Sequence, residues 1–111
     1  MDKRWEENIY YMIKCFSDYD RQKRVWLGQD NNHTSSFDED ISLLFDSYCF
    51  EDFILELKKD EKNKCPVDEL VVFEKMLDTY ESKFSDKEIL EDFKWVEIVN
   101  QAKEVIKKWN Q

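Results

Sequence analysis

A chain of 111 residues with 41% apolar and 15% aromatic side chains can form one hydrophobic core of modest size, which excludes a multidomain architecture and a disordered polymer. Its 26 acids against 17 bases give a formal charge of −9, which makes nucleic acid and anionic membranes poor partners and a basic macromolecule a good one. One Gly and one Pro are too few turn formers for a sheet of short strands, so the composition points to an all-α single domain.

Met1-Asp2-Lys3-Arg4-Trp5 has no apolar run behind it, and charges interrupt every later apolar stretch. Neither a signal peptide nor a transmembrane span is expected. Cys15, Cys49 and Cys65 are odd in number, widely spaced and without a Cys-x-x-Cys pair, which reads as reduced thiols in a cytoplasmic protein.

In chain order, Trp5, Ile9, Met12, Phe16 and Tyr19 recur at helical steps and predict an amphipathic helix from about Lys3 to Tyr19. Ser17 with Asp20 caps a second piece running through Arg21, Lys23 and Arg24 to Leu27, and Gly28 stops it. The polar run from Gln29 to Ser35 is a loop. Ser36-Phe37-Asp38-Glu39 is a capping box, followed by the stripe Ile41, Leu44, Phe45 and Tyr48. Between Asp46 and Phe50 the pattern fails. A short break before a helix from about Glu51 to Leu57 is one reading, and an extended segment is the other.

Lys58 to Lys64 is a charged connector, after which Cys65-Pro66 restarts helix with Pro at the first helical position, continuing to about Ser82. Ser85-Asp86-Lys87-Glu88 is a second capping box. Asp92 caps a final helix with the stripe Trp95, Val99, Ala102, Ile106 and Trp109. The expected fold is a bundle of five or six helices.

Charge is unevenly distributed. Val25 to Leu57 holds eight acids (Asp30, Asp38, Glu39, Asp40, Asp46, Glu51, Asp52 and Glu56) and no Lys or Arg, while acids and bases nearly balance elsewhere. The same stretch carries Trp26, Phe37, Phe45, Tyr48, Phe50 and Phe53, so it belongs to a fold with a strongly negative face and is not a solvated tail. Acids at Asp38, Glu39 and Asp40 also suit the positive start of a helix, which explains them without any partner. Trp5, Trp95 and Trp109 at helical spacing read as core. Any of Trp26, Tyr48, Phe50 and Phe53 that is exposed would be an interface anchor amid acids.

Chemistry is harder to find. Asp30, Asn32 and Thr34 fit the first positions of a Ca²⁺ loop, but Ser35 stands at the obligatory Gly position and Ile41 at the bidentate acid. His33 is the only histidine, which leaves no zinc set and reads as a surface loop residue. Pairs such as Asp38/Asp40 or Glu51/Asp52 could do acid–base work, although 26 acids produce such pairs by chance. No phosphate loop is present. Catalytic residues, metal ligands and cofactors are therefore all expected to be none.

The order of landmarks carries a resemblance: Arg24-Val25-Trp26, then Ser36-Phe37-Asp38-Glu39-Asp40-Ile41-Ser42-Leu43-Leu44-Phe45-Asp46, then Asp92-Phe93-Lys94-Trp95-Val96-Glu97-Ile98-Val99-Asn100-Gln101-Ala102. This resembles the CdiI-type immunity proteins of bacterial contact-dependent growth inhibition and related small helical toxin-immunity families. It departs at Asp46-Ser47, where a second acid is expected. The resemblance implies a cytoplasmic, non-enzymatic inhibitor of one cognate toxin C-terminal domain, often a basic nuclease; the acidic charge is what argues against direct binding of nucleic acid or membrane.

Electrostatics, not the resemblance, selects Asp38, Glu39, Asp40, Asp46, Glu51 and Asp52 as the expected partner-binding residues, with Tyr48 added as an aromatic anchor among them. A helical adaptor for a basic protein and a small enzyme using paired carboxylates are the competing classes. Monomer and homodimer are both open.

Overall fold

Short polar side chains that accept from free backbone amides set most helix starts. In the computed structural model, which describes residues 2–60 and 62–109, Asp2 accepts from the Arg4 and Trp5 amides and opens α1 (Lys3–Phe16). Asp18 accepts from Arg21 N and opens α2 (Tyr19–Trp26), so Asp18, and neither Ser17 nor Asp20, is the cap, and Tyr19 belongs to α2. Gly28 follows with φ +71°, the left-handed conformation expected of a helix stop. Ser36 Oγ accepts from Glu39 N at 3.1 Å and opens α3 (Phe37–Ser42).

From there the helix widens into a π-helical segment, Leu43–Ser47, which ends where Tyr48 N donates to Leu43 O. Cys49, in the left-handed conformation at φ +50°, redirects the chain into α4 (Phe50–Lys59). The region whose pattern failed is thus a π turn plus a left-handed kink, and α4 extends beyond Leu57. The charged connector begins at Asp60; Glu61 lies outside the described residues.

Pro66 is the N-cap of α5 (Val67–Thr79) and not its first helical residue, and α5 ends before Ser82. Ser85 opens α6 (Asp86–Glu91) by accepting from Glu88 N at 3.2 Å. Asp92 then interrupts the helix for one residue and accepts from Lys94 N, as α7 (Phe93–Trp109) begins. Among the described residues the fold is all-helical, with seven α-helices where five or six were expected. Breaks at Ser17-Asp18 and at Asp92 separate α1 from α2 and α6 from α7, as the sequence divides them. No helix of the described residues is long and apolar enough to cross a membrane.

α7 is the central element and packs against α1, α5 and α6; α2 lies on α6 and α4 on α5. Trp95 of α7 is wholly buried, with ring centroids of Phe37, Tyr80 and Trp26 at 5.3, 5.5 and 5.7 Å. A second aromatic group joins Trp5 to Phe53 at 5.4 Å and Phe53 to Trp109 at 6.4 Å. Each such pair contributes about 0.5–1.5 kcal/mol beyond area burial. Of the aromatics in the acidic stretch, Trp26, Phe37, Phe50 and Phe53 are buried, while Phe45 and Tyr48 are partly buried. They anchor the stretch to the core, and none is an exposed anchor.

Two buried polar side chains organise this core. Gln22 is completely buried; its amide nitrogen donates to the Cys15 and Phe16 carbonyls at the end of α1, and its oxygen accepts from Trp95 Nε1 at 2.9 Å. Asp40 is only 3% exposed and accepts from Ser35 Oγ at 2.7 Å and Trp26 Nε1 at 2.9 Å, with Arg21 Nη1 at 3.4 Å. Three donors, one of them cationic, satisfy this buried side chain. The three cysteines are free, Cys15 and Cys65 buried and Cys49 exposed. Burial, with the Glu6 carboxylate beside it, pushes the Cys65 thiol up to about 12.

Candidate partner-binding surface

The seven residues expected to meet a partner separate into four groups. Asp38 and Glu39 are exposed on the first turn of α3, where they line a shallow hollow of 450 Å³ with Ser42, Leu43 and Ser47. No Lys or Arg lines it, and Leu43 supplies an apolar patch. Asp46 is exposed on the adjoining π-helical segment.

Asp40 must be withdrawn from the set. It shares the first turn of α3 with Asp38 and Glu39, but it faces inward to Trp26 and Arg21 and is unavailable to a partner.

Tyr48 and Asp52 belong to a second place. They line a depression between the start of α1 and α4, together with Asp2, Arg4, Trp5, Asn8, Ser47 and Cys49. Tyr48 is half-buried, and its carbonyl accepts from Trp5 Nε1 at 2.6 Å. That bond fixes the indole and ties the N-terminal helix to the connector before α4. Glu51 is exposed on the first turn of α4 and lines neither hollow, and its charge is felt at Glu74 of α5. Burial raises Glu74 above the usual carboxylate range, and the negative charges of Asp78 and Glu51 raise it further.

One acid that sequence reasoning passed over joins the α3 group. Asp86, on the first turn of α6, accepts from the Phe37 amide at the start of α3. Burial raises its carboxyl above the usual range against that hydrogen bond, and the Asp38 and Asp40 charges push the same way. The two serine-capped helix starts therefore meet, and their first-turn acids repel. Both capping boxes are visible as local patterns; their meeting depends on how α3 and α6 pack and has no local signal.

Large exposed apolar side chains lie outside the acidic stretch as well as within it. Phe84 is 103% exposed between α5 and α6, and Phe93 is 72% exposed at the start of α7. Their chain neighbours Lys83 and Lys94 line a 410 Å³ cleft with Tyr80 and Asp92, which are joined by a 2.8 Å hydrogen bond. Among the described residues, no three His, Cys, Asp or Glu side chains are placed to hold a metal ion. The arrangement offers charge and contact area.

No family model matches the chain, and neither the curated proteins nor the solved structures contain a significant match to it.

Proposed function

We propose that this chain is a non-enzymatic binding protein that neutralises a basic partner, as an immunity protein does its cognate toxin domain. The observation that carries the reading is the exposure of Asp38, Glu39 and Asp46 in a stretch of 33 residues without a Lys or Arg, at a face to which Asp86 adds a further carboxylate. Closely spaced carboxylates imitate the charge of a nucleic-acid backbone. A basic nuclease docked on them would lose access to its substrate by occlusion and by charge mimicry.

Two experiments test this. Inducing the C-terminal domain of the protein encoded immediately upstream, with and without this chain, should give growth arrest that only this chain relieves. Reversing Asp38, Glu39 and Asp46 together to Lys should slow association with that domain by about tenfold or more at low salt, with the difference shrinking as salt rises. Unchanged association at low salt would exclude this face.

An adaptor for a basic protein is the second reading, and Phe84 and Phe93 favour it. Two exposed aromatics outside the acidic stretch supply contact area for a further macromolecule. An adaptor would bind its partner without relieving arrest.

A further inference from the structure

The depression containing Asp52 continues along α4. A neighbouring hollow of 490 Å³ is lined by Asp2, Trp5, Asp52, Leu55, Glu56 and Lys59, and it shares Asp2, Trp5 and Asp52 with the 320 Å³ depression that reaches Tyr48. The two form one groove with the half-buried Trp5 at its centre. Leu55, 53% exposed, extends the apolar floor along α4. The groove thus has an aromatic and aliphatic base; Asp2 and Asp52 line both hollows, while Arg4 lines only the smaller and Lys59 only the larger.

Those two carboxylates come from different elements. Asp2 is the N-cap of α1, where one of its oxygens accepts from two amides. Asp52, on the first turn of α4, has no cation within ion-pair distance among the described residues, whereas Glu56 is engaged by Lys59 at 3.9 Å. Trp5 has its indole N–H satisfied by Tyr48, so what it presents to the groove is ring surface and not a donor. A cation lying on an indole ring between two carboxylates gains from the ring quadrupole and from both charges, while its aliphatic stem covers apolar surface.

The geometry points to this groove as the seat of a Lys or Arg side chain projected by the basic protein partner, with the adjoining apolar side chain of that partner resting on Leu55. A bare inorganic cation would leave Trp5 and Leu55 uncovered, and an anionic ligand would meet Asp2 and Asp52. This deepens the binding function proposed above and rests on it: the α3 acids attract the partner, and the α1–α4 groove holds one of its side chains.

The probe is blocked hexa-arginine, followed by amide and indole NMR on the full chain, with hexa-glutamate as the control. The expected result is a saturable shift at the Trp5 indole and at Asp52 and Leu55, absent with hexa-glutamate. D52N should weaken it about three- to tenfold, and L55A about twofold. Both positions are exposed, so neither variant threatens the fold. Equal affinity in D52N would overturn the groove. Saturable shifts at Asp38 and Glu39 with none at Trp5 would overturn it too, while leaving the acidic-face reading intact. No saturable shift anywhere would sink both.

Discussion

Asp40 shows how much one residue's orientation decides. Three acids stand side by side on one helical turn, yet Asp38 and Glu39 face solvent and Asp40 faces Trp26, Ser35 and Arg21. Replacing Asp40 by Ala leaves an indole N–H and a guanidinium without their acceptor. It should cost about 2–4 kcal/mol in urea unfolding, whereas D38N should fall within about 0.5 kcal/mol of the parent. Equal effects would mean that the inward network is not stabilising.

Asp86 carries a pH signature. Its carboxyl is raised by burial above the ordinary 3.8, with the Asp38 and Asp40 charges acting in the same sense and the Phe37 amide opposing. The native state therefore binds this proton more tightly than the unfolded chain, and ionising Asp86 subtracts from stability. Its contribution is most favourable below 3.8 and declines as pH rises through the higher native value. Asn at this position cannot ionise, so D86N should gain on the parent as pH rises through that window. Thermal melts of both proteins across that range would check it; a difference that does not change with pH would remove Asp86 as the cause.

At the scale of elements, the kink between the π-helical segment and α4 is the least regular connection. Cys49 is the non-glycine residue with positive φ among the described residues, and its thiol reaches only the Asp46 carbonyl at 3.7 Å. A side chain in the left-handed region costs about 1–2 kcal/mol. Glycine relieves that strain while adding freedom to the unfolded chain, so C49G should stabilise by up to about 1 kcal/mol in urea unfolding. A loss of stability would mean that the thiol contact outweighs the strain.

Elements were legible in the sequence where their cause is local. The Ser36 and Ser85 caps and the Gly28 stop are patterns of at most four residues, and the structure contains all three. The π turn was not legible, because Leu43 to Ser47 places Leu44 and Phe45 on the core as an ordinary helix would. The candidate surface was legible by halves. Charge counting finds Asp38, Glu39 and Asp52, but the positions of Asp2, Trp5 and Asp86 beside them follow from α1 meeting α4 and α3 meeting α6. Gln22 was invisible for the same reason, since its partners Cys15, Phe16 and Trp95 converge only in three dimensions.

For the molecule as a whole, α7 joins regions that otherwise have separate anchors. Its Trp95 meets Trp26 and Phe37 near the α3 acids, and its Trp109 meets Phe53 beneath the α1–α4 groove. The proposed attracting face and holding groove thus rest on one helix, so a partner touching both would engage a single framework. The same arrangement equips the chain with two internal clocks. Trp95 Nε1 and Gln22 are both enclosed, so the indole proton between them reaches solvent only when the whole core opens. The Trp5 indole proton sits on the Tyr48 carbonyl at the half-buried groove, where separation of α1 from α4 is enough. In deuterium oxide the first should be lost at the rate set by global unfolding and the second much sooner. A partner held in the groove would slow the second clock toward the first, and equal rates in the free protein would mean that the groove opens only when everything does.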